Sequence, residues 1–430
     1  MTALGVALTP TPALAATTSI ARLYGPGDIR LTAGDGQRNT IRITAAGRVV
    51  TFDDDFPITA GTGCAAVAGD ATKVTCTFTG TPAALPVVVY AGDGDDVITD
   101  DSGYGMLAYG NRGDDTLVGS RTAGDRLAGE GDADFLQGRG GNDQVEGGTG
   151  NDRVYGHDGD DTVSGGPGND FVSGGNGRDS VAAGTGNDNL HGDLGNDSLT
   201  TADGGDSLHG DGGDDGISGS DGADKLYGED GNDTILGGAG DDAVSGSAGD
   251  DYLEGDGGDD TIDGGAGNDL VKGDGDENAL YGGDDMLYGG DGDDTLTGST
   301  GADYADGGAG ADRFNYGGRT APVTADLDDE LGDDGVAGEH DSLIGIENLN
   351  GGLGDDLLTG NDAANEIFGG HGDDRIAGLG GDDRLLGDTP LFPTASEVDA
   401  LDGGDNGTDA GDYCKLSDAR GTTVNCETVQ

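Results

Sequence analysis

From Leu136 to Leu280, and again from Leu287 to Phe314, an apolar residue recurs at every ninth position, and the residues between are mostly Gly, Asp, Asn, Ser and Thr. The series begins Leu136, Val145, Val154 and Val163, passes through Leu226, Ile235 and Ile262, and ends at Leu296, Ala305 and Phe314. A period of nine matches neither the 3.6-residue helical turn nor the alternation of one long strand. It matches a repeat in which three residues form a short strand with its middle side chain inward and the other six make a turn.

Aligned on the apolar residue, the unit reads Gly-Gly-x-Gly-(Asn/Asp)-Asp-x-(apolar)-x. Seventeen nonads run from Gly129 to Tyr281, a seven-residue unit spans Gly282 to Tyr288, and three more nonads end at Asn315. Two nonads make one coil of 18 residues. Coils stacked at the parallel-strand spacing of about 4.8 Å give a solenoid on the order of 50 Å long, with Val, Leu and Ile laddered inside. The chain is read as all-β.

The flanks differ from the repeat. Between 17 and 90, Ile41–Thr44, Arg48–Phe52, Lys73–Phe78 and Pro86–Tyr90 alternate as strands separated by turn residues, a small β module or cap. Looser units start at Ala91 and lead into the regular roll, so 91–315 is taken as one repeat domain. Residues 316–350 interrupt it with two strand-like stretches around an acidic loop, 351–388 form a second short roll, and 389–430 form a tail. Residues 1–16 resemble the end of a truncated secretory signal peptide, with a small-x-small site and no basic start.

Composition narrows the function. The chain carries 85 acidic and 20 basic side chains, a net charge of −65, with 93 glycines among 430 residues and no Trp. Such a surface repels nucleic acid and anionic lipid, and cations are its natural complement. No stretch is apolar enough to insert in a membrane as a helix. Cys64 with Cys76, and Cys414 with Cys426, are each twelve apart, too wide for a metal knuckle. Two local disulfides are expected, which implies an extracellular, secreted protein.

The candidate chemistry lies at position six. It is occupied by Asp134, Asp143, Asp152, Asp161, Asp170, Asp179, Asp188, Asp197, Asp206, Asp215, Asp224, Asp233, Asp242, Asp251, Asp260, Asp269, Asp294, Asp303 and Asp312, preceded by Asp96 and Asp115 and followed by Asp356, Asp374 and Asp383. Residues 18 apart fall one above another, so ionised carboxylates there repel unless cations lie between them. Calcium fits best, because it takes six to eight hard oxygens in flexible geometry and glycine turns expose carbonyls. Magnesium demands a tight octahedron, and soft metals lack ligands here.

These residues resemble the RTX, or haemolysin-type calcium-binding, nonapeptide repeat over about 91–386. The resemblance implies a right-handed parallel β-roll in which position-six carboxylates and turn carbonyls of units n and n+2 share each calcium. It also implies that folding is coupled to binding of multiple Ca2+ ions. Two departures stand out: Glu277 and Asn278 occupy the acidic positions of one unit, and Gly282–Asp285 is a shortened turn. Weak or missing sites and a bend are expected over 273–288.

Other motifs carry less. Gly205-Asp206-Ser207-Leu208 spells a serine-hydrolase block, but it sits in repeat register beside its near copy Asn196–Leu199. His191 and His209 stack at position nine, which allows a two-His metal site against the default of a solvated wall. Neither an EF-hand nor His-Glu-x-x-His is present, and outward Thr is too irregular for an ice-binding ladder. The reading is a non-enzymatic, secreted calcium-binding protein. The alternatives are an adhesin for a cell-surface or polysaccharide ligand with purely structural calcium, and a hydrolase using the N-terminal module.

Overall fold

The computed structural model describes residues 19–24, 27–34, 36–79, 87–275, 282–388, 398–406, 412–416, 421–426 and 428–429. The signal-like segment 1–16 and the Glu277–Asn278 pair lie outside the described residues. Strands and turns make up all regular structure among them, and they form two compact units, Met1–Val154 and Tyr155–Gln430.

In the first unit, Thr40–Ala46, Val49–Asp53, Asp70–Thr77 and Cys64–Val67 form an antiparallel sheet. Cys64 and Cys76 face each other across its last pair and are joined by a disulfide. Ile41, Ile43, Val50, Phe52 and Val74 are its buried face, at most 1% exposed. Thr40–Ala46 pairs in parallel with Val97–Asp101, and Ile29–Thr32 with Val87–Asp93, so the module supplies the strands on which the first coil stacks. Val87–Asp93 then carries Met106–Arg112, Arg126–Gly131 and Gln144–Thr149 in parallel order.

The second unit is a parallel β-solenoid with a register of 18. Lys225–Asp230 lies under Ala243–Ala248, which lies under Thr261–Ala266, and Gly216–Asp221, Thr234–Ala239 and Tyr252–Gly257 stack on the other wall. The described position-eight residues from Leu136 to Phe314 are no more than 3% exposed, so the ladder expected from the period is the core of both units.

The strands are longer than expected. Many run through positions seven to nine and on through one to three of the next unit, as Lys225–Asp230 does, leaving only positions four to six as the turn. The extension is possible because position two takes a left-handed backbone, with Glu229 at φ 75° and Ser247 at φ 77°, which bends the strand without ending it.

Interruptions are absorbed rather than terminal. Ile262 pairs with Leu287 and Leu270 with Thr295, so a 25-residue coil replaces the usual 18. Arg313–Asn315 pairs directly with Asn348–Asn350, and Tyr304–Asp306 with Ser342–Ile344. The segment 316–350 therefore does not divide the roll in two, because its flanking strands are stacked neighbours. The tail also continues the coil: Tyr413–Lys415 pairs with Arg384–Leu386 and Thr422–Val424 with Ala400–Asp402, with Cys414 and Cys426 bonded.

Candidate calcium ladders

All 24 position-six aspartates assigned from the sequence are buried, none more than 4% exposed. Their carboxylates do not face one another along an open edge. Most reach back one coil, where one oxygen accepts a backbone N–H, usually that of the aspartate below. Asp188 donates to Oδ1 of Asp206 at 2.8 Å, Asp197 to Asp215 at 2.7 Å and Asp215 to Asp233 at 2.8 Å. The backbone carbonyl of the same residue accepts from the following coil, as Asp188 does from Ser207 at 2.9 Å. Each edge is thus sewn by two bonds per coil.

The second oxygen is the informative one. Oδ2 of Asp115, Asp134, Asp179, Asp188, Asp197, Asp215, Asp233, Asp242 and Asp269 is buried with no hydrogen-bond partner. A buried acceptor left unmatched costs about 1–3 kcal/mol, and more when it is ionised. Accordingly, burial and the neighbouring Asp115 and Asp152 push Asp134 up to about 8, and burial with Asp197 and Asp233 pushes Asp215 up to about 7. A row of such carboxylates at neutral pH calls for a compensating cation.

The glycines explain how the oxygens are brought in. Position one needs glycine for space: a Cβ on Gly228 would overlap Oδ2 of Asp233 and lie 2.9 Å from the Gly246 carbonyl oxygen. Position four needs it for conformation as well. Gly231 has φ 144°, and a Cβ there would overlap the carbonyl oxygen of Gly213 in the preceding coil. Both constraints gather hard oxygens, carboxylate and carbonyl, at the turn, and this donor set fits calcium rather than a soft metal. The residues that would hold the ion are the position-six aspartates, and the ion would supply positive charge to otherwise unmatched oxygens.

Several ladder members break the nine-residue spacing; Asp285 stands at position six of the seven-residue unit, and the other four are missed by it. Asp125 accepts from Met106 at 2.6 Å, Asp285 from Asp260 at 2.9 Å, Asp341 from Asp303 at 3.1 Å, Asp399 from Asp374 at 3.3 Å and Asp412 from Asp383 at 2.9 Å. All sit in Asp-x-(apolar) tripeptides, ending in Leu127, Leu287, Leu343, Leu401 and Cys414. That tripeptide, free of the period, was the signal available. Asp285 matters most, because the defect expected over 273–288 instead keeps a full ladder member, pushed up to about 8 by burial and by Asp260 and Asp274.

Neutral residues mark the ladder's limits. Asn39, fully buried, starts the first edge by donating to Asp96 at 2.6 Å. Asn365 occupies position six with its amide satisfied by the Glu347 carbonyl at 2.8 Å. Position five carries an exposed ladder running the other way: Asn232 donates to Asp214 at 3.1 Å and Asp250 to Asn232 at 2.9 Å. Its preference for Asn or Asp is a preference for a short acceptor.

On the outer wall, His191 and His209 stack as the spacing implied, with ring centroids 4.7 Å apart. Their Nδ1 atoms lie 3.0 Å from Asp211 and 3.1 Å from Glu229. Among the described residues the one group of three acidic, His or Cys side chains with ligand atoms within 4.8 Å is Asp326, Asp328 and Asp333, so the two histidines gain no third ligand of those types.

A fold of stacked 18-residue coils with buried, oxygen-rich turns defines a calcium-binding β-solenoid. The family model for the RTX calcium-binding nonapeptide repeat, four copies long, matches residues 109–145, 122–154, 146–181, 182–217, 209–244, 218–253, 236–271, 254–286, 288–318 and 344–388. The chain belongs to this family, and it binds calcium at multiple sites. No curated protein matches it.

Proposed function

We propose that the position-six aspartates are the calcium ligands, that calcium binding closes the coils, and that the protein works outside the cell without catalytic activity. The observation that carries this reading is the row of buried, unmatched Oδ2 atoms along both edges. Folding then depends on the ion, because a preformed site does not exist in the unfolded chain. With about twenty ions bound, about forty negative charges would be neutralised; extracellular modules of this kind bind at roughly 10⁻⁴ to 10⁻³ M per site. Both disulfides support an oxidising, extracytoplasmic location.

A hydrolase built on Ser207, as distinct from one using the N-terminal module, meets a physical obstacle. Ser207 Oγ lies 3.2 Å from His209 Nε2, whose Nδ1 is paired with Glu229, which superficially resembles a catalytic triad. The backbone N–H of Ser207 is committed to Asp188 at 2.9 Å and that of Gly210 to Tyr227 at 2.8 Å, so coil stacking consumes donors that an oxyanion hole would need. The adhesin reading is favoured by one feature, the outward column of Phe171, His191, His209 and Tyr227. A surface-glycan screen with and without calcium tests it.

The ligand assignment is tested by equilibrium dialysis with radioactive calcium. Binding of many ions per chain, reduced when position-six aspartates are changed to Asn, supports it. Unchanged stoichiometry in such variants sinks it.

A further inference from the structure

We infer that the ladder rungs at Asp125, Asp341 and Asp356 take no calcium, because a donor of the chain itself occupies the oxygen that the ion would match at the other rungs. The inference rests on the ligand reading above and withdraws Asp356 from it.

By their first oxygen all three are ordinary ladder members. Oδ1 accepts the N–H of Met106 at 2.6 Å in Asp125, of Asp303 at 3.1 Å in Asp341 and of Val323 at 2.9 Å in Asp356. They differ at the second oxygen. Oδ2 of Asp125 accepts the Ser120 N–H at 2.6 Å, Oδ2 of Asp356 the Gly352 N–H at 2.6 Å, and Oδ2 of Asp341 the hydroxyl of Tyr316 at 3.1 Å. In Asp215, Asp233 and Asp242 the same atom is buried with no hydrogen-bond partner. Burial raises the Asp341 carboxyl, and buried Arg319, itself paired with Glu339, works against that rise, so this rung also has a resident positive charge nearby.

The backbone shows where two of these donors come from. Ser120 and Gly352 follow the position-one glycines Gly119 and Gly351. In the regular coils that place takes the left-handed bend, as Glu229 and Ser247 do, and stays in the strand, where those two residues pair. Neither Ser120 nor Gly352 takes the left-handed bend or lies in a strand, and the N–H turns in to the carboxylate. Asn361 does the same, donating to Oδ1 of Asn365 at 2.8 Å. Asn365 carries no charge, so the inward N–H closes a rung that has no carboxylate for an ion to match.

A donor at hydrogen-bond distance sets the positive end of its dipole against Oδ2, where a calcium about 2.3–2.6 Å from that oxygen would have to sit. Ion and donor therefore compete for one place. Asp341 lies in the excursion 316–350 and Asp356 just after it, so the strands stack continuously there while the row of bound ions is broken.

The test is anomalous diffraction from crystals of the full chain grown with terbium(III) as a heavy stand-in for calcium, for the wild type and for Tyr316→Phe. Wild-type peaks are expected at the turns of Asp215, Asp233 and Asp242, with none at Oδ2 of Asp125, Asp341 or Asp356. Tyr316→Phe removes the hydroxyl, and a peak should appear at Asp341 alone among the three. Wild-type peaks at these three rungs as well as at the others would overturn this inference and leave the ligand reading standing. Peaks at the open turns of Tyr316→Phe without one at Asp341 would overturn the role given to the hydroxyl. An absence of peaks at every turn would overturn the ligand reading itself.

Discussion

Replacing three consecutive carboxylates on one edge, Asp215, Asp233 and Asp251, by Asn should have opposite effects on the calcium-free and calcium-loaded protein. In each, Oδ1 accepts the N–H of the coil below, an acceptor that Asn retains. Asn365 shows that the amide can be accommodated, since its Nδ2 donates to a backbone carbonyl. For Asp233 the Gly246 carbonyl faces the same glycine as Oδ2 and offers such an acceptor. Burial pushes Asp215 up to about 7 and Asp233 up to about 6 from 3.8, and raises Asp251. An acid raised on folding stabilises the calcium-free fold most below the ordinary carboxylate pKa, and that contribution is lost as pH climbs from about 4 to about 7. At 1.36 kcal/mol per pH unit, ionised Asp215 and Asp233 oppose the calcium-free fold by about 1–2 kcal/mol each at pH 8 once relaxation of the turn is allowed for, and Asp251 acts in the same direction. The triple variant should therefore keep its β signal in chelator to a pH about one unit higher than wild type. Its calcium midpoint at pH 8 should rise about tenfold, because three ligand charges are gone. The assay is far-ultraviolet circular dichroism, first against pH in chelator and then against calcium. A variant that loses β structure in chelator at lower pH than wild type, or that keeps the wild-type calcium midpoint, would refute the reasoning.

Other outcomes follow from the same geometry. Gly231→Ala, at φ 144° and against the Gly213 carbonyl, should cost about 3 kcal/mol or more, whereas Gly212→Ala, whose nearest neighbour would be Leu194 at 3.6 Å, should cost less than about 1 kcal/mol; thermal melts in saturating calcium compare them. Ile235→Ala, at a fully buried position, should cost about 2–5 kcal/mol in denaturant titration with calcium present. Calcium affinity should fall as pH drops from 8 to 6, because protons compete for carboxylates such as Asp134, held at about 8, and Asp285, also at about 8; isothermal titration calorimetry in buffers of different ionisation enthalpy should register the released protons. Affinity independent of pH across that range contradicts the burial argument.

Much of this molecule is legible in its sequence because a short period constrains everything that shares it. The inward row from Leu136 to Phe314, the 18-residue register and the position-six aspartates follow from counting. The direction of the carboxylates does not. Spacing places Asp188 and Asp206 on one edge, but only the backbone reveals that the latter reaches back to the N–H of the former. The longer strands were hidden because positions one to three carry glycine and polar residues with weak strand preference, and their pairing depends on the left-handed bend at residues such as Glu229. Ladder members across irregular spacings, Asp341 from Asp303 and Asp412 from Asp383, become visible only when strands pair across the intervening loops. For the same reason 316–350 read as a divider: an excursion and a boundary look alike until Phe314 is seen stacked on Leu349.

The central claim is that calcium, by matching the buried Oδ2 atoms, makes the coils fold. Circular dichroism of the full chain at pH 8, stripped with chelator and then titrated with calcium, tests it most directly. The account predicts that the β signal is lost in chelator and returns with calcium but not with the same concentration of magnesium. A spectrum unchanged by chelator and by calcium would contradict it.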